Sequence, residues 1–365
     1  MVEGIRPLER RDVTEVAALY ELVMRSGSST PAPGLAAYFE SLFFDQPWAD
    51  PELPGLVAVN DGGRIVAFQG AHARRGRFDG RAIAIRGLGQ LVAHPGARTG
   101  TAGRSLARTQ LAGPQDLTLV DTAHAAAQRL GVVVGGTISH MSCIGWMRVM
   151  RPLQWVQALA RARRNARRRP AARRLMAGLD HALANSAAVF CAPVAPDVEA
   201  EPLTPAGLVE HLPLVAGHLR LYVDYDEPYV NWLFSELARH NGLGTLLARL
   251  VRTRRGRALG WYVCMLQPGG SCRVLQVGAP PRHVGRVLDH MLHEAWLAGA
   301  ASIQGRVEPN LLEPLATRRC LMLYRGGALL YGDADMLGAI ATGNALLTRM
   351  DGEWWAQDQM LDLSR

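Results

Sequence analysis

The rhythm of hydrophobic and polar positions is most distinctive between residues 82 and 112, AIAIRGLGQLVAHPGARTGTAGRSLARTQLA. Residues 82 to 93 are apolar enough for a buried strand, and His94, Pro95 and Gly96 stop it. From Gly103 the apolar positions Leu106 and Leu111, with Ala102, Ala107 and Ala112, share one helical face. The pattern predicts a strand, a loop of small residues and a helix in immediate succession.

Upstream, the segment from Ile5 begins as a short strand, and Asp12 is placed to cap a helix whose apolar side holds Val16, Leu19, Tyr20 and Val23. A second helix is expected over about residues 34 to 44. Two strands, LVAV and IVAFQGAHA, flank Asn60-Asp61-Gly62-Gly63-Arg64, a strong hairpin signal. Downstream, LTLVD reads as strand five, residues 123 to 130 as a short helix, and the chain from Gly131 as strand six. Residues 155 to 185 are helical in composition, broken at Pro170.

The second half repeats the first. LLARLVR, TRRGR and ALGWYVCML reproduce the strand, turn and strand, with Gly63 and Gly256 equivalent and 193 positions apart. A hairpin at Pro268-Gly269-Gly270, a strand RVLQVGA, a loop PPRHVG and a helix to Leu297 follow, and Pro95 and Pro280 are 185 positions apart. Two units recurring at nearly constant offset imply a duplicated domain. The expected organisation is an N-terminal domain over residues 1–155, a helical bridge over 156–198 and a C-terminal domain over 199–365. The length of 365 residues suits two cores.

Charge refines this picture. The chain carries a formal net charge of +8, but residues 161–174, RARRNARRRPAARR, hold eight arginines and no acid, so the rest is balanced. This cluster reads either as a solvated helix face or as a weak contact with anionic surfaces. Nucleic acid fits poorly, because no aromatic residue interleaves with the arginines after Trp155. The five cysteines are widely spread without a C-x-x-C pair and read as reduced thiols. The N-terminal residues lack a signal-peptide core and no run of about 18 apolar residues occurs, which predicts a cytoplasmic protein.

Arg98-Thr99-Gly100-Thr101-Ala102-Gly103 lies between the strand and the helix described first, and its small side chains leave backbone N–H groups open to an anion at a helix N-terminus. An ordinary strand-to-helix turn rich in small residues is the alternative. The segment resembles the pyrophosphate loop, (Q/R)-x-x-G-x-(G/A), of the GNAT acyltransferases, with His94-Pro95 before it; Thr101 stands where that family usually has glycine. With Gly145-Trp146, Arg151-Pro152-Leu153, Gly305-Arg306 and the tail from Leu347 to Trp355, the whole chain is similar to tandem GNAT proteins, some of them found near bacterial polysaccharide genes.

The resemblance implies an α/β (α+β) fold of two GNAT-like domains, each a mixed, mostly antiparallel sheet flanked by helices. It implies acetyl-CoA or another acyl-CoA as donor, held by Leu91, Val92, Ala93, Arg98, Thr99, Gly100, Thr101, Ala102, Gly103 and Arg104, with no metal. The acceptor would be an amine of a small metabolite or sugar.

The acidic tyrosine frequent in that family, four residues before Gly131, is replaced by Ala127, and residues 82 to 93 contain no carboxylate. Candidate catalytic substitutes are His140, Asp121, His124, Ser142 and Cys143, for histidine and thiol chemistry suits proton transfer. In the second half Arg282 to Val287 repeats the loop but ends in valine, so that domain is expected to build the acceptor side. Tyr225, Tyr229, Trp232 and Arg306 are the candidate acceptor residues, aromatic faces suiting an amine or sugar; packing of a helix start is the plain alternative. A non-catalytic pair of domains that binds a ligand or partner is the competing functional reading.

Overall fold

A computed structural model describes residues 2–25, 27–97, 102–164, 193, 196–239 and 241–356. Loop residues Arg98 to Thr101, most of the arginine cluster and Cys191 lie outside the described residues. Two compact units are present. The first comprises Met1–His140, Leu219–Leu233 and Gly326–Arg365, the second Met141–His218 and Phe234–Arg325.

The first unit opens with β1 (Val2–Pro7), α1 (Val13–Met24) and α2 (Leu35–Phe43). Then come β2 (Leu56–Asn60), β3 (Ile65–Phe78) and β4 (Arg81–Ala93), α3 (Ala102–Leu111), β5 (Leu117–Val120), α4 (Ala125–Val133) and β6 (Thr137–Ile138). The β2–β3 hairpin falls at the expected turn, where Asn60 Oδ1 accepts the N–H groups of Gly62 and Arg64 at 3.1 and 3.0 Å and Gly63 takes φ 73°. Of the α3 face predicted by periodicity, Ala102, Leu106 and Ala107 are buried, Leu111 is half-buried and Ala112 is exposed; Ala102 and Leu106 pack on Leu56, Ala58 and Ala67.

Asp12 occupies the position before α1 but does not cap it with its side chain. Its carboxylate instead accepts both Arg6 guanidinium N–H groups, at 2.5 and 2.8 Å, and the Glu9 N–H at 2.9 Å. A bidentate charged partner is the stronger donor set.

The second unit contains β7 (Ile144–Val149), α5 (Pro152–Arg164), β8 (Glu199–Pro202) and α6 (Pro205–Ala216). The chain then supplies β9 (Leu221–Val223) and α7 (Glu227–Arg239). Back in the second unit follow β10 (Thr245–Arg252), β11 (Ala258–Leu266), β12 (Ser271–Gly278), α8 (Pro281–Leu297), β13 (Ser302–Arg306), α9 (Leu312–Thr317) and β14 (Leu321–Tyr324). The last elements are β15 (Leu329–Tyr331), α10 (Ala334–Ala341) and β16 (Ala345–Leu346). On α8, Val284, Val287, Leu288 and Met291 are buried at helical spacing. Of the expected thiols, Cys143, Cys264, Cys272 and Cys320 are free and buried.

Both sheets are mixed and mostly antiparallel. The first runs β1-β2-β3-β4-β5-β15-β6, with β9 also on β3 and β16 on β9; the second runs β14-β7-β13-β12-β11-β10-β8. Read from β8, the second sheet has the order of the first. In each, the sixth place is filled by a strand from a distant part of the chain: β15 between β5 and β6, and β7 between β13 and β14. Contiguous halves were the expectation from sequence; the observed units are interleaved. β7 carries Trp146 into the second core at 2% exposure. Gly305, opposite Trp146, leaves room for the indole, for a Cβ there would lie 2.8 Å from its Nε1.

Candidate active site

β4 and β5 are parallel and pair only at Ile85 with Leu117, Arg86 with Thr118 and Gly87 with Leu119. β5 ends at Val120, whereas β4 runs on to Ala93, so among the described residues the β4 edge toward β5 has no strand partner from Leu88 to Val92. A bulge sharpens the departure. Gly70 pairs with Gly89 and Phe68 with Val92, so Gln90 and Leu91 together oppose Gln69, and Gln90 takes φ +48°. Gly70 is required there, because a Cβ would sit 2.5 Å from Gln90 Oε1 and 2.9 Å from the Phe43 ring.

The gap is a cavity of about 250 Å³. Leu88, Gln90 and Leu91 form its β4 wall, Val120 of β5 and Thr122 just beyond that strand the facing wall, and Ala127 with Leu130 its α4 side. Three further contributors come from beyond residue 326: Leu329 and Tyr331 of β15, and Glu353 of the C-terminal segment. Glu353 is fully buried. Its side chain crosses β4 at Gly89, where a Cβ would lie 2.6 Å from Glu353 Cγ. Its Oε1 accepts the Thr122 hydroxyl at 2.6 Å and the Asp121 and Thr122 N–H groups at 3.1 Å; Oε2 also accepts the Asp121 N–H at 3.1 Å. The Glu353 N–H in turn donates to Asp121 Oδ1 at 3.2 Å. This reciprocal clasp fixes the chain leaving β5. Burial first, and the neighbouring Asp121 carboxylate second, push the Glu353 carboxyl well above the ordinary range.

Of the residues singled out from sequence, Leu91 and His124 line this cavity. His124 caps α4, its Nδ1 accepting the Ala127 N–H at 3.3 Å. Asp121 stands directly behind Glu353. Val92 is core, 2% exposed, and Ala93 pairs with Ala67. Ala102 is buried, while Arg104 is exposed and Gly103 faces open space, with no atom within 4 Å of an added Cβ. His140 is exposed in a turn. Ser142 and Cys143 belong to the second unit, Cys143 in its core at 0% exposure.

The acceptor candidates divide as well. Tyr225 and Tyr229 are buried in the first unit, 4% and 0% exposed, and Trp48 stacks on Tyr229 at 3.7 Å. Trp232 packs edge-on against Trp355. Tyr225 donates a short hydrogen bond to Asp351, and Arg74 lies over Tyr229. These aromatics form core, the plain packing alternative. Arg306 ends β13 of the second unit, opposite Gly145.

Sequence reading missed Tyr331 and Glu353. The signal for Tyr331 is a short apolar run between Gly326-Gly327 and Gly332-Asp333; Glu353 lies in the tail from Leu347 to Trp355, which the sequence marks only as part of the family likeness.

No protein-family model matches the chain, and no curated protein does. Solved structures match its fold. A conserved protein from Enterococcus faecalis described as a probable N-acyltransferase aligns with TM-score 0.59 at 9% identity, covering 90% of this chain and 71% of that one. A GCN5-related N-acetyltransferase from Anabaena variabilis gives 0.56 at 11%, covering 90% and 72%. One from Kribbella flavida gives 0.54 at 14%, covering 89% and 70%. The chain has the fold of the GCN5-related N-acetyltransferases.

Proposed function

We propose that this chain is an acyl-CoA-dependent N-acyltransferase, transferring acetyl or another acyl group directly to an amine of a small metabolite or sugar in the cavity of the first unit. The observation that carries the reading is the parting of β4 from β5 at the Gln90 bulge. It leaves backbone N–H and C=O groups of residues 88 to 92 without a β5 partner beside a cavity, a few residues before α3 begins. Unpaired strand groups suit the amides of a pantetheine arm, and the helix N-terminus suits its pyrophosphate. The amine nitrogen attacks the thioester carbonyl carbon, the C–S bond breaks, and the thiolate leaves. Holding both reactants in one cleft supplies proximity.

We infer that the second unit binds no acyl-CoA of its own. At the constant offset of the repeat, Gln276 corresponds to Leu91. Gln276 is buried and accepts the Trp261 Nε1–H at 2.8 Å, and that indole covers Gly278. The equivalent β12 stretch is thus committed to core packing.

Gly103→Val tests the donor site, since the added methyls meet no protein atom near the Cβ. Calorimetry with CoA is expected to show at least a tenfold weaker Kd with the melting temperature retained. Unchanged affinity places the donor elsewhere. CoA binding without thiol release over an amine panel supports the non-catalytic reading instead.

A further inference from the structure

Aminolysis of a thioester sheds a thiolate, which must gain a proton for the reaction to complete. Among the described residues lining the cavity, the side chains that are ionisable or carry a hydroxyl are few: Thr122, His124, Tyr331 and Glu353. Thr122 spends its hydroxyl proton on Glu353, and His124 is exposed at the α4 cap. Glu353 is fully buried and holds the chain at residues 121 and 122.

Tyr331 differs from all three. It is half-buried on β15, where Leu329 and Tyr331, two residues apart on one face, both line the cavity beside Leu130 and Gly131 of α4. Two glycines form its seat: a Cβ on Gly136 would lie 2.5 Å from the ring Cζ, and one on Gly131 would lie 2.8 Å from the hydroxyl oxygen. Among the described residues its hydroxyl makes no hydrogen bond. A phenol brought into an apolar cleft with its proton unassigned is available to a ligand.

We propose that Tyr331 is the proton donor to the departing thiolate, an assignment that rests on the acyltransferase reading of the same cavity. The acyl carbon gains its bond to the amine nitrogen and loses its bond to sulfur. The Tyr331 O–H passes its proton to that sulfur, and the phenolate recovers one from water or from the amine's released proton. Burial keeps the phenol above its ordinary range and so protonated at neutral pH. Glu353 and His124 are the other titratable groups on the cavity, with Asp121 behind Glu353.

The test compares wild type and Tyr331→Phe, which keeps the ring on Gly136, with acetyl-CoA and with the acetyl selenoester of the same carrier, whose selenolate departs without needing a proton. Hexylamine, glucosamine, spermidine and Nα-acetyllysine amide serve as amines. With acetyl-CoA, kcat of the variant is expected to fall about 100-fold or more, the size of a general-acid contribution. With the selenoester the fall is expected to stay under about 10-fold, with KM and CoA Kd within about threefold on both donors. Equal losses on the two donors, or an unchanged kcat with acetyl-CoA, overturn the assignment while wild-type turnover upholds the acyltransferase reading. Wild type that neither binds CoA nor cleaves acetyl-CoA with any of these amines overturns both.

Discussion

Glu353 and His72 sit in the same unit and pull stability in opposite directions with pH. His72 is fully buried, its imidazole 3.4 Å from Gln90 Oε1, and burial lowers its pKa from 6.5 to about 3. Below the unfolded value the unfolded chain binds a proton that the native chain refuses. Stability from a neutral His72 is therefore complete above about pH 6.5 and declines toward pH 3, by about 1.4 kcal/mol per pH unit. His72→Phe is expected to remove that slope when urea unfolding is compared with wild type across this range. Glu353 has the reverse sign. With its native value raised, the folded chain keeps a proton that the unfolded chain has lost, so stability falls as pH rises above about 4.5. Asp351, raised by burial, acts in the same sense. Glu353→Gln should gain on wild type in relative stability between pH 5 and 8; a difference independent of pH would mean that Glu353 is ionised in the fold.

Elements impose a second kind of constraint. The β4 bulge, Gly89 and the C-terminal segment form one device: the bulge turns Gln90 so that its Nε2 donates to Ala356 O at 3.3 Å, and Gly89 admits Glu353. Gly89→Ala is expected to push Glu353 off residues 121 and 122, lowering stability by about 1–3 kcal/mol through overpacking. The check is slowed thioester turnover together with faster amide exchange at Asp121 and Thr122. In the second sheet Gly305→Ala meets Trp146 in the same way, and an equal loss of about 1–3 kcal/mol is expected there by urea unfolding, with the cavity of the first unit unaffected. An element is thus placed partly by residues with no side chain at all.

At the scale of the molecule, the exchange of β7 and β15 means that neither unit is encoded by a continuous stretch. Ending the chain after Arg325 removes β15 from between β5 and β6, together with Tyr331 and Glu353. Loss of protection at Thr118 and Leu119 in hydrogen exchange is the expected result, because their antiparallel partners Tyr331 and Leu330 are gone. A single CoA per chain is expected by calorimetry, for Gln276 and Trp261 fill the β12 stretch equivalent to the open β4 edge. Two equivalent CoA molecules would contradict that.

By itself the sequence determined the local elements. Alternation and a polar turn placed the β2–β3 hairpin, helical spacing placed α3, and the nearly constant offset of the two halves announced the duplication. These follow from short-range periodicity and backbone chemistry, legible within a dozen residues. Tertiary structure decided which strand completes each sheet, since a three-residue strand such as β15 has the same local pattern wherever it docks. It likewise decided the site. Asp121 and Glu353 are 232 residues apart, and only the folding of the C-terminal segment over Gly89 sets them together. It sorted the aromatics too: Tyr225 and Tyr229 read as ligand-facing from composition, but Trp48, far upstream, stacks on them and makes them core. Burial depends on partners distant in sequence, and no window of sequence contains those partners.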